Sequence, residues 1–79
     1  MEAYVGEIRT FGFSWAPQGW AKCDGSSLPI NNHMSLYSLI GTTYGGDGRT
    51  TFNLPDIKPK DDKGIVCIAL DGFIYPARP

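Results

Sequence analysis

The sequence predicts a single α+β domain that is small and strand-rich, with one short helix and a long glycine-rich loop. Seventy-nine residues suffice for one domain. Hydrophobic residues make up 42% of the chain and charged residues only 19%, which is typical of a globular protein rather than a disordered one. Residues 4–11 alternate in part between apolar and polar, residues 64–76 are rich in β-branched side chains, and only one central stretch has helical spacing.

The first third of the chain predicts short extended segments joined by turns. Apolar and polar residues alternate in part over residues 4–11, so we expect a strand there. Pro17 and Gly19 then favour a turn. A second strand is expected within residues 20–25, ending in an Asp-Gly turn, and residues 26–30 continue extended.

One helix is expected over the sequence HMSLYSLI, and either Asn31 or Asn32 could cap its first amides. Gly41 is well placed to end it. Three apolar side chains fall on one helical face, namely Leu36, Leu39 and Ile40. A helix of two to three turns is not stable alone, so packing must hold it.

The region from 41 to 63 is expected to be loop, because Pro55 and Pro59 oppose a long regular element. Residues 64–76 form the most apolar stretch, and their β-branched content predicts a strand. The pair Asp71-Gly72 could turn this strand into a hairpin or place a bulge in it.

The net charge of the chain indicates which classes of partner it is suited to bind. Seven basic and eight acidic residues leave a net charge of −1, without the basic footprint of a nucleic-acid binder. No apolar run has the length of a membrane span, and the N-terminus lacks a secretory signal pattern. We therefore expect neither nucleic-acid binding nor membrane insertion, and a location in a virion tail or the bacterial cytoplasm, or release without a Sec signal.

The chain has two cysteines, Cys23 and Cys67, each in or beside a strand-like run. Two cysteines alone do not make a metal site, and they are too few for a secreted disulfide framework. We interpret them as small buried side chains, and a disulfide between neighbouring strands is the alternative.

The sequence predicts no catalytic residue, no cofactor and no metal. His33, the only histidine, lies at the expected helix start, and no serine or cysteine stands in a Gly-x-Ser-x-Gly context. Asp61 and Asp62 sit in a charged, proline-flanked run that predicts a solvated loop.

The stretch Gly45-Gly46-Asp47-Gly48-Arg49 is the most unusual in the chain. It could form a backbone nest for an anion, but it lacks the spacing of a phosphate loop and follows the helix instead of opening one. A calcium loop needs several carboxylates, and Asp47 stands alone until Asp56. The interpretation that we favour is a turn shaped by glycine and closed by the Asp47 side chain.

Two motifs carry a family resemblance. The segment GEIRTFGFSWAPQGWAKCDGSSLPI, followed by the helix and LIGTTYGGDGRTTFNLPD, resembles the phage tail collar domain family over residues 5–57. That family occurs in phage tail fibres and in related bacterial proteins once labelled microcystin-dependent. The resemblance implies a non-enzymatic structural module, usually trimeric, whose loop is anchored by Tyr44 and Phe52. The matching positions are Trp20, Cys23, Asp24, Gly25, Tyr44, Gly45, Gly46, Asp47, Gly48, Thr51, Phe52, Leu54, Pro55 and Asp56.

The chain departs from the family after Asp56, so we expect a stand-alone module in which residues 58–79 form a divergent C-terminal strand pair. Because a chain this short has a marginal core, we expect its apolar C-terminal side chains to meet other copies. The side chains expected to self-associate are Ile65, Val66, Ile68, Leu70, Phe73, Ile74 and Tyr75.

Three functions follow as hypotheses. The first is a self-associating structural protein of a phage tail or tail-like particle, which could contact other tail proteins or a host surface ligand. The second is a phage-derived bacterial protein that forms filaments. The third is a glycan-binding module that stacks sugars on exposed aromatic rings, for which the candidates are Trp15, Trp20, Tyr37, Tyr44 and Tyr75.

Overall fold

The computed structural model describes residues 3–73. These residues form two antiparallel sheets and one α-helix, in agreement with the predicted α+β class. In chain order the elements are β1 (Ile8–Phe11), β2 (Trp20–Lys22), β3 (Ser27–Pro29), a 3₁₀ turn (Ile30–Asn32), α1 (Met34–Ile40), β4 (Thr51–Asn53) and β5 (Ile65–Ala69).

The larger sheet has the strand order β1-β5-β2, so the last strand in sequence lies in its centre. Cys67 of β5 is opposite Arg9 on one side and Lys22 on the other. Every residue of β5 is buried. A strand with neighbours on both sides and cover on both faces is a continuous apolar run, which accounts for the composition of this segment.

The smaller sheet pairs β3 with β4 and places Leu28 opposite Phe52. The sequence predicted β3 as extended, but it predicted only loop over residues 41–63. That prediction is wrong at Thr51–Asn53, which form β4.

The helix begins at Met34, which is later than either predicted asparagine cap would place its start. Asn31 and Asn32 lie in the 3₁₀ turn, and His33 occupies the N-cap position without a side-chain cap bond, so the predicted asparagine cap is wrong. The predicted end is confirmed. Gly41 has φ of +53°, and its amide donates to the Tyr37 carbonyl at 2.7 Å.

The core has two parts, one on each face of the larger sheet, because side chains alternate along β5. Val66 and Ile68 point into the main cluster, where Leu36 of the helix and Phe52 of β4 are fully buried. The opposite face carries a smaller cluster of Ala3, Trp20, Ile65, Cys67 and Ala69, against which Phe11 packs.

After β5 the chain bends at residues 70–72, and Phe73 then forms a parallel bridge with Tyr4. The C-terminal strand pair predicted for residues 58–79 is thus represented by β5, which pairs with β1 and β2 instead. Ile74 and Tyr75, and the rest of the expected second strand, lie outside the described residues.

Candidate functional site

The two sequence motifs, some thirty residues apart in the chain, lie side by side in the structure. The Gly25 amide donates to the Pro55 carbonyl at 3.2 Å, and the Leu54 amide donates to the Ser26 carbonyl at 2.9 Å. Asp24 and Asp56 form an antiparallel bridge between them. These bonds extend the β3–β4 ladder past the ends of both strands, so each motif supplies backbone partners for the other.

The same ladder joins the smaller sheet to the larger one. The Ile57 amide donates to the Cys23 carbonyl, and the Cys23 amide donates to the Val66 carbonyl, both at 2.9 Å. The motif residues therefore lie where the two sheets meet, which makes them part of the framework of the domain.

Asp47 organises the glycine-rich loop through its carboxylate. Its Oδ1 accepts hydrogen bonds from the backbone amides of Arg49, Thr50 and Thr51 at 2.8, 2.8 and 3.0 Å. Its Oδ2 accepts one from the Thr50 hydroxyl at 2.8 Å. These donors hold the pKa of Asp47 well below its usual range, the Thr51 amide contributing most. The amides of Arg49, Thr50 and Thr51 thus bind the chain's own carboxylate, which agrees with the interpretation of a turn closed by the Asp47 side chain.

Gly45 and Gly46 allow this loop to lie directly on β4. Both have positive φ, +120° and +101°. A Cβ on Gly46 would lie 2.4 Å from the Phe52 Cα, and one on Gly45 would lie 2.7 Å from the Asn53 side-chain nitrogen. At Gly46 only a residue without a side chain fits, because the contact is with backbone atoms of β4. At Gly45 the contact is with the end of the Asn53 side chain, and the positive φ is the stronger reason for glycine.

The aromatic side chain that supports the loop is Tyr37. Its hydroxyl donates to the Gly48 carbonyl at 3.3 Å, and its ring lies 5.4 Å from the buried ring of Phe52 in a T-shaped arrangement. Phe52 anchors the loop as the family resemblance implies, but Tyr44 is 45% exposed. Sequence reasoning missed the role of Tyr37, although it lies on the helix that leads directly into the loop.

Asp24 closes the turn of the first motif in the same way as Asp47 closes the loop. Its Oδ1 accepts hydrogen bonds from the hydroxyl and the amide of Ser26, the latter at 3.0 Å. The two bonds lower the pKa of Asp24, with the hydroxyl making the larger contribution. The carboxylates of Asp24 and Asp47 are therefore both bound to the backbone of their own turns.

The two cysteines are free and buried, as expected for small core side chains. Burial raises the pKa of the Cys23 thiol to about 11, and the neighbouring Cys67 and Asp24 add to the rise. Burial also raises the pKa of Cys67. Neither thiol has the exposure or the lowered pKa of a reactive cysteine.

A groove of about 230 Å³ lies beside β2, between Lys22 and Asp24 on one side and Lys58 and Asp62 on the other. Its charged groups are of mixed sign, which does not define a ligand class. Within residues 3–73, no three histidine, cysteine, aspartate or glutamate side chains come together as metal ligands.

Comparison with protein families decides the classification. The family model for the phage tail collar domain matches residues 6–60, more than two thirds of the chain. The chain belongs to the phage tail collar domain family. Collar domains are structural parts of phage tail fibres. A search of curated proteins finds no match to this collar domain.

The matched segment contains both motifs and ends before β5, which begins at Ile65. The central strand of the collar domain's larger sheet is thus supplied by residues beyond the family match. No helix within residues 3–73 is long and apolar enough to cross a membrane.

The structure corrects the expected self-association surface. Ile65, Val66 and Ile68 are at most 7% exposed, because they lie in the central strand and pack within their own chain. They are not available to a second copy of this fold. Leu70 is half-buried against the main core, whereas Phe73 is 54% exposed.

The aromatic candidates for glycan stacking also divide into buried and exposed side chains. Trp20 is buried in the sheet, and Tyr37 is half-buried beneath the loop. Trp15 is 62% exposed and Tyr44 is 45% exposed, while Tyr75 lies outside the described residues.

Proposed function

We propose that this collar domain is a non-enzymatic structural component of a phage tail fibre or phage-tail-like particle, and that its copies self-associate. Family membership supports the structural role. The role also agrees with the motifs, in which the carboxylates of Asp24 and Asp47 are bound to the backbone of their own turns and so stabilise the fold.

The observation that favours self-association is the amount of apolar surface on so small a chain. Eight large hydrophobic side chains in the described residues are more than a third exposed, namely Tyr4, Ile8, Phe13, Trp15, Met34, Tyr44, Ile57 and Phe73. A chain of this length buries only about 60–65% of its unfolded surface, so contact with other copies would add the burial that it lacks.

The contact that we assign to self-association is centred on Tyr4 and Phe73. Their ring centroids are 5.7 Å apart, and the rings are 45% and 54% exposed. Backbone bonds fix the pair, because the Phe73 amide donates to the Ala3 carbonyl at 2.8 Å and the Val5 amide donates to the Phe73 carbonyl at 2.9 Å. A fixed, exposed aromatic pair is the kind of anchor that dominates protein interfaces.

Sedimentation velocity over a range of concentrations tests this assignment. We expect the wild-type protein to form oligomers and the double variant Tyr4→Ser/Phe73→Ser to remain monomeric. Met34→Ser is the matched control, since Met34 is 66% exposed but lies on α1. A wild-type protein that stays monomeric at every concentration would refute self-association, and a double variant that still assembles would refute the assigned surface.

Electron microscopy of the assembled wild-type protein then distinguishes the tail component from the filament. A closed symmetric contact gives discrete particles, whereas a head-to-tail contact that does not close gives fibres. Discrete particles support the tail-fibre role, and long fibres support the phage-derived filament as the second candidate.

A further inference from the structure

Four aromatic rings form a continuous ladder from the core to the surface. Trp20 contacts Phe11 with a centroid distance of 5.2 Å and perpendicular rings. Phe11 contacts Phe13 at 5.2 Å, and Phe13 contacts Trp15 at 4.5 Å. Exposure rises along the ladder, from 7% at Trp20 to 37% at Phe13 and 62% at Trp15.

The inner half of the ladder is fixed by the larger sheet. Trp20 is opposite Ala69 and Phe11 is opposite Ile65, both on the central strand. The Arg9 guanidinium lies 5.5 Å from the Trp20 ring centroid and is paired with Glu7. Phe13 and Trp15 therefore rest on rings that cannot easily move, which lowers the entropy that a ligand must overcome on binding.

The segment that carries the outer rings has no charged side chain of its own, and the Arg9 guanidinium near the Trp20 ring is paired with Glu7. Residues 10–21 contain no acidic or basic side chain, and the polar groups beside the two rings in sequence are the Ser14 hydroxyl and the Gln18 amide, both on exposed residues. A charged ligand would find no partner on this segment. A neutral ligand with hydroxyl groups would find apolar ring faces together with uncharged hydrogen-bonding groups.

The size of the platform argues against a second protein chain as its occupant. An aromatic side chain offers roughly 150–250 Å², so the exposed parts of Phe13 and Trp15 amount to about 150–250 Å² together. A stable protein interface needs about 800 Å² from each partner. The exposed area is closer to one face of a single sugar ring.

We propose that Phe13 and Trp15 form a binding platform for a neutral sugar ring of an oligosaccharide. The C–H bonds on one face of a pyranose carry partial positive charge, and they pack against the electron-rich face of an indole or phenyl ring. Ser14 and Gln18 are exposed residues of the same segment and carry uncharged groups that can hydrogen-bond sugar hydroxyls. This inference goes beyond the structural role and does not depend on the Tyr4–Phe73 contact.

Tryptophan fluorescence tests the platform, because the chain has two tryptophans of opposite exposure. In a Trp20→Phe variant, Trp15 is the single reporter. We would titrate it with glucose hexamers of α and β linkage, with an N-acetylglucosamine hexamer, and with a galacturonic acid hexamer as the charged comparison. We expect a blue shift of emission with at least one neutral hexamer, and none with the charged hexamer.

Substitutions locate the binding. In a protein with both tryptophans, calorimetry should show that Trp15→Ala abolishes binding of the same hexamer and that Phe13→Ala weakens it about tenfold. Tyr44→Ala is the matched control, since Tyr44 is also exposed but lies in the glycine-rich loop, and its affinity should equal that of the wild type. Circular dichroism verifies that each variant is folded.

Four results would overturn the proposal: no response to any neutral hexamer, equal binding of the charged hexamer, binding that survives Trp15→Ala, or Trp15 emission that changes with protein concentration alone. The last would show that another copy covers the rings. Sedimentation of the same samples keeps the two proposals apart, because loss of sugar binding leaves assembly through Tyr4 and Phe73 unaffected.

Discussion

Replacing Gly46 by alanine should destabilise the collar domain more than any other single methyl addition at the loop or helix end. The backbone there has φ of +101°, and the added Cβ would lie 2.4 Å from the Phe52 Cα and 2.8 Å from the Thr51 carbonyl oxygen. Both are backbone atoms of β4, so no side-chain rotation can relieve the overlap. The loop or the strand has to move.

In Gly46→Ala, two effects lower the free energy of unfolding and one raises it. An L-residue with positive φ costs about 1–2 kcal/mol. Forcing an extra carbon into a packed contact costs about 1–3 kcal/mol. Alanine also restricts the unfolded chain, which returns about 0.4–1 kcal/mol. The net loss is about 2–4 kcal/mol, a large share of the roughly 4–12 kcal/mol expected for a domain of this length.

Alanine substitutions at two other glycines distinguish the cost of a positive φ from the cost of steric overlap. A Cβ on Gly41 would meet no atom within 4 Å, but φ there is +53°, so Gly41→Ala bears only the backbone cost and should lose about 1 kcal/mol. Gly12 has neither a close neighbour nor a positive φ, so Gly12→Ala should be neutral or slightly stabilising.

Urea denaturation at one fixed protein concentration, followed by tryptophan fluorescence, measures the three variants against the wild type. The unfolding midpoints should fall in the order Gly12→Ala, Gly41→Ala, Gly46→Ala. If Gly46→Ala proved as stable as Gly41→Ala, the close approach between the loop and β4 would not exist.

Two further predictions concern titrating groups. Because the folded pKa of Asp47 is depressed, its stabilisation is present above the ordinary value of 3.8 and is lost as the pH falls below it. Asp47→Asn should lower the unfolding free energy at pH 7 and remove part of this acid dependence. Asp61→Asn should change both little, because Asp61 accepts one backbone bond at 3.1 Å and the asparagine amide oxygen can still accept it. Because the pKa of Cys23 is raised from 9.0 to about 11, the unfolding free energy should fall between pH 9 and 11, and it should fall less in Cys23→Ala. A thiol reagent at pH 8 should modify the protein only when it unfolds. Rapid modification of the folded protein would contradict the burial of both thiols.

The elements that sequence reasoning predicted correctly are those specified by neighbouring residues. The helix shows its apolar spacing within one turn, and Gly41 ends it through its own backbone conformation. Strand β5 is evident from its β-branched residues alone. Each of these signals is local, so no knowledge of the tertiary structure is needed to recognise it.

Strand β4 was missed because nothing local specifies it. It has three residues, it lies between a glycine-rich loop and Leu54-Pro55, and its partner β3 is more than twenty residues away. Pairing with Ser27–Pro29 is what makes Thr51–Asn53 a strand, and a pairing over that distance depends on the packing of Phe52 into the core.

The self-association surface was misplaced for a related reason. A central strand and an apolar interface strand have the same composition, since both are covered on two faces. Only the strand order distinguishes them, and β5 receives β1 and β2 from segments more than forty residues earlier in the chain. The apolar composition of β5 therefore indicated that the segment is buried, but it did not indicate whether its own chain or another copy buries it.

Tyr37 supports the glycine-rich loop in place of Tyr44, and the residues that stabilise this domain are distinct from those exposed for binding. The motif side chains Asp24 and Asp47 bind the chain's own backbone, and Phe52 fills its core. Phe13 and Trp15, by contrast, are exposed aromatic residues that are not among the positions matched to the family motifs. A domain whose motifs stabilise the fold can change its partners by substitution at such surface positions without loss of structure, which is why we assign binding to the ladder and stability to the loop.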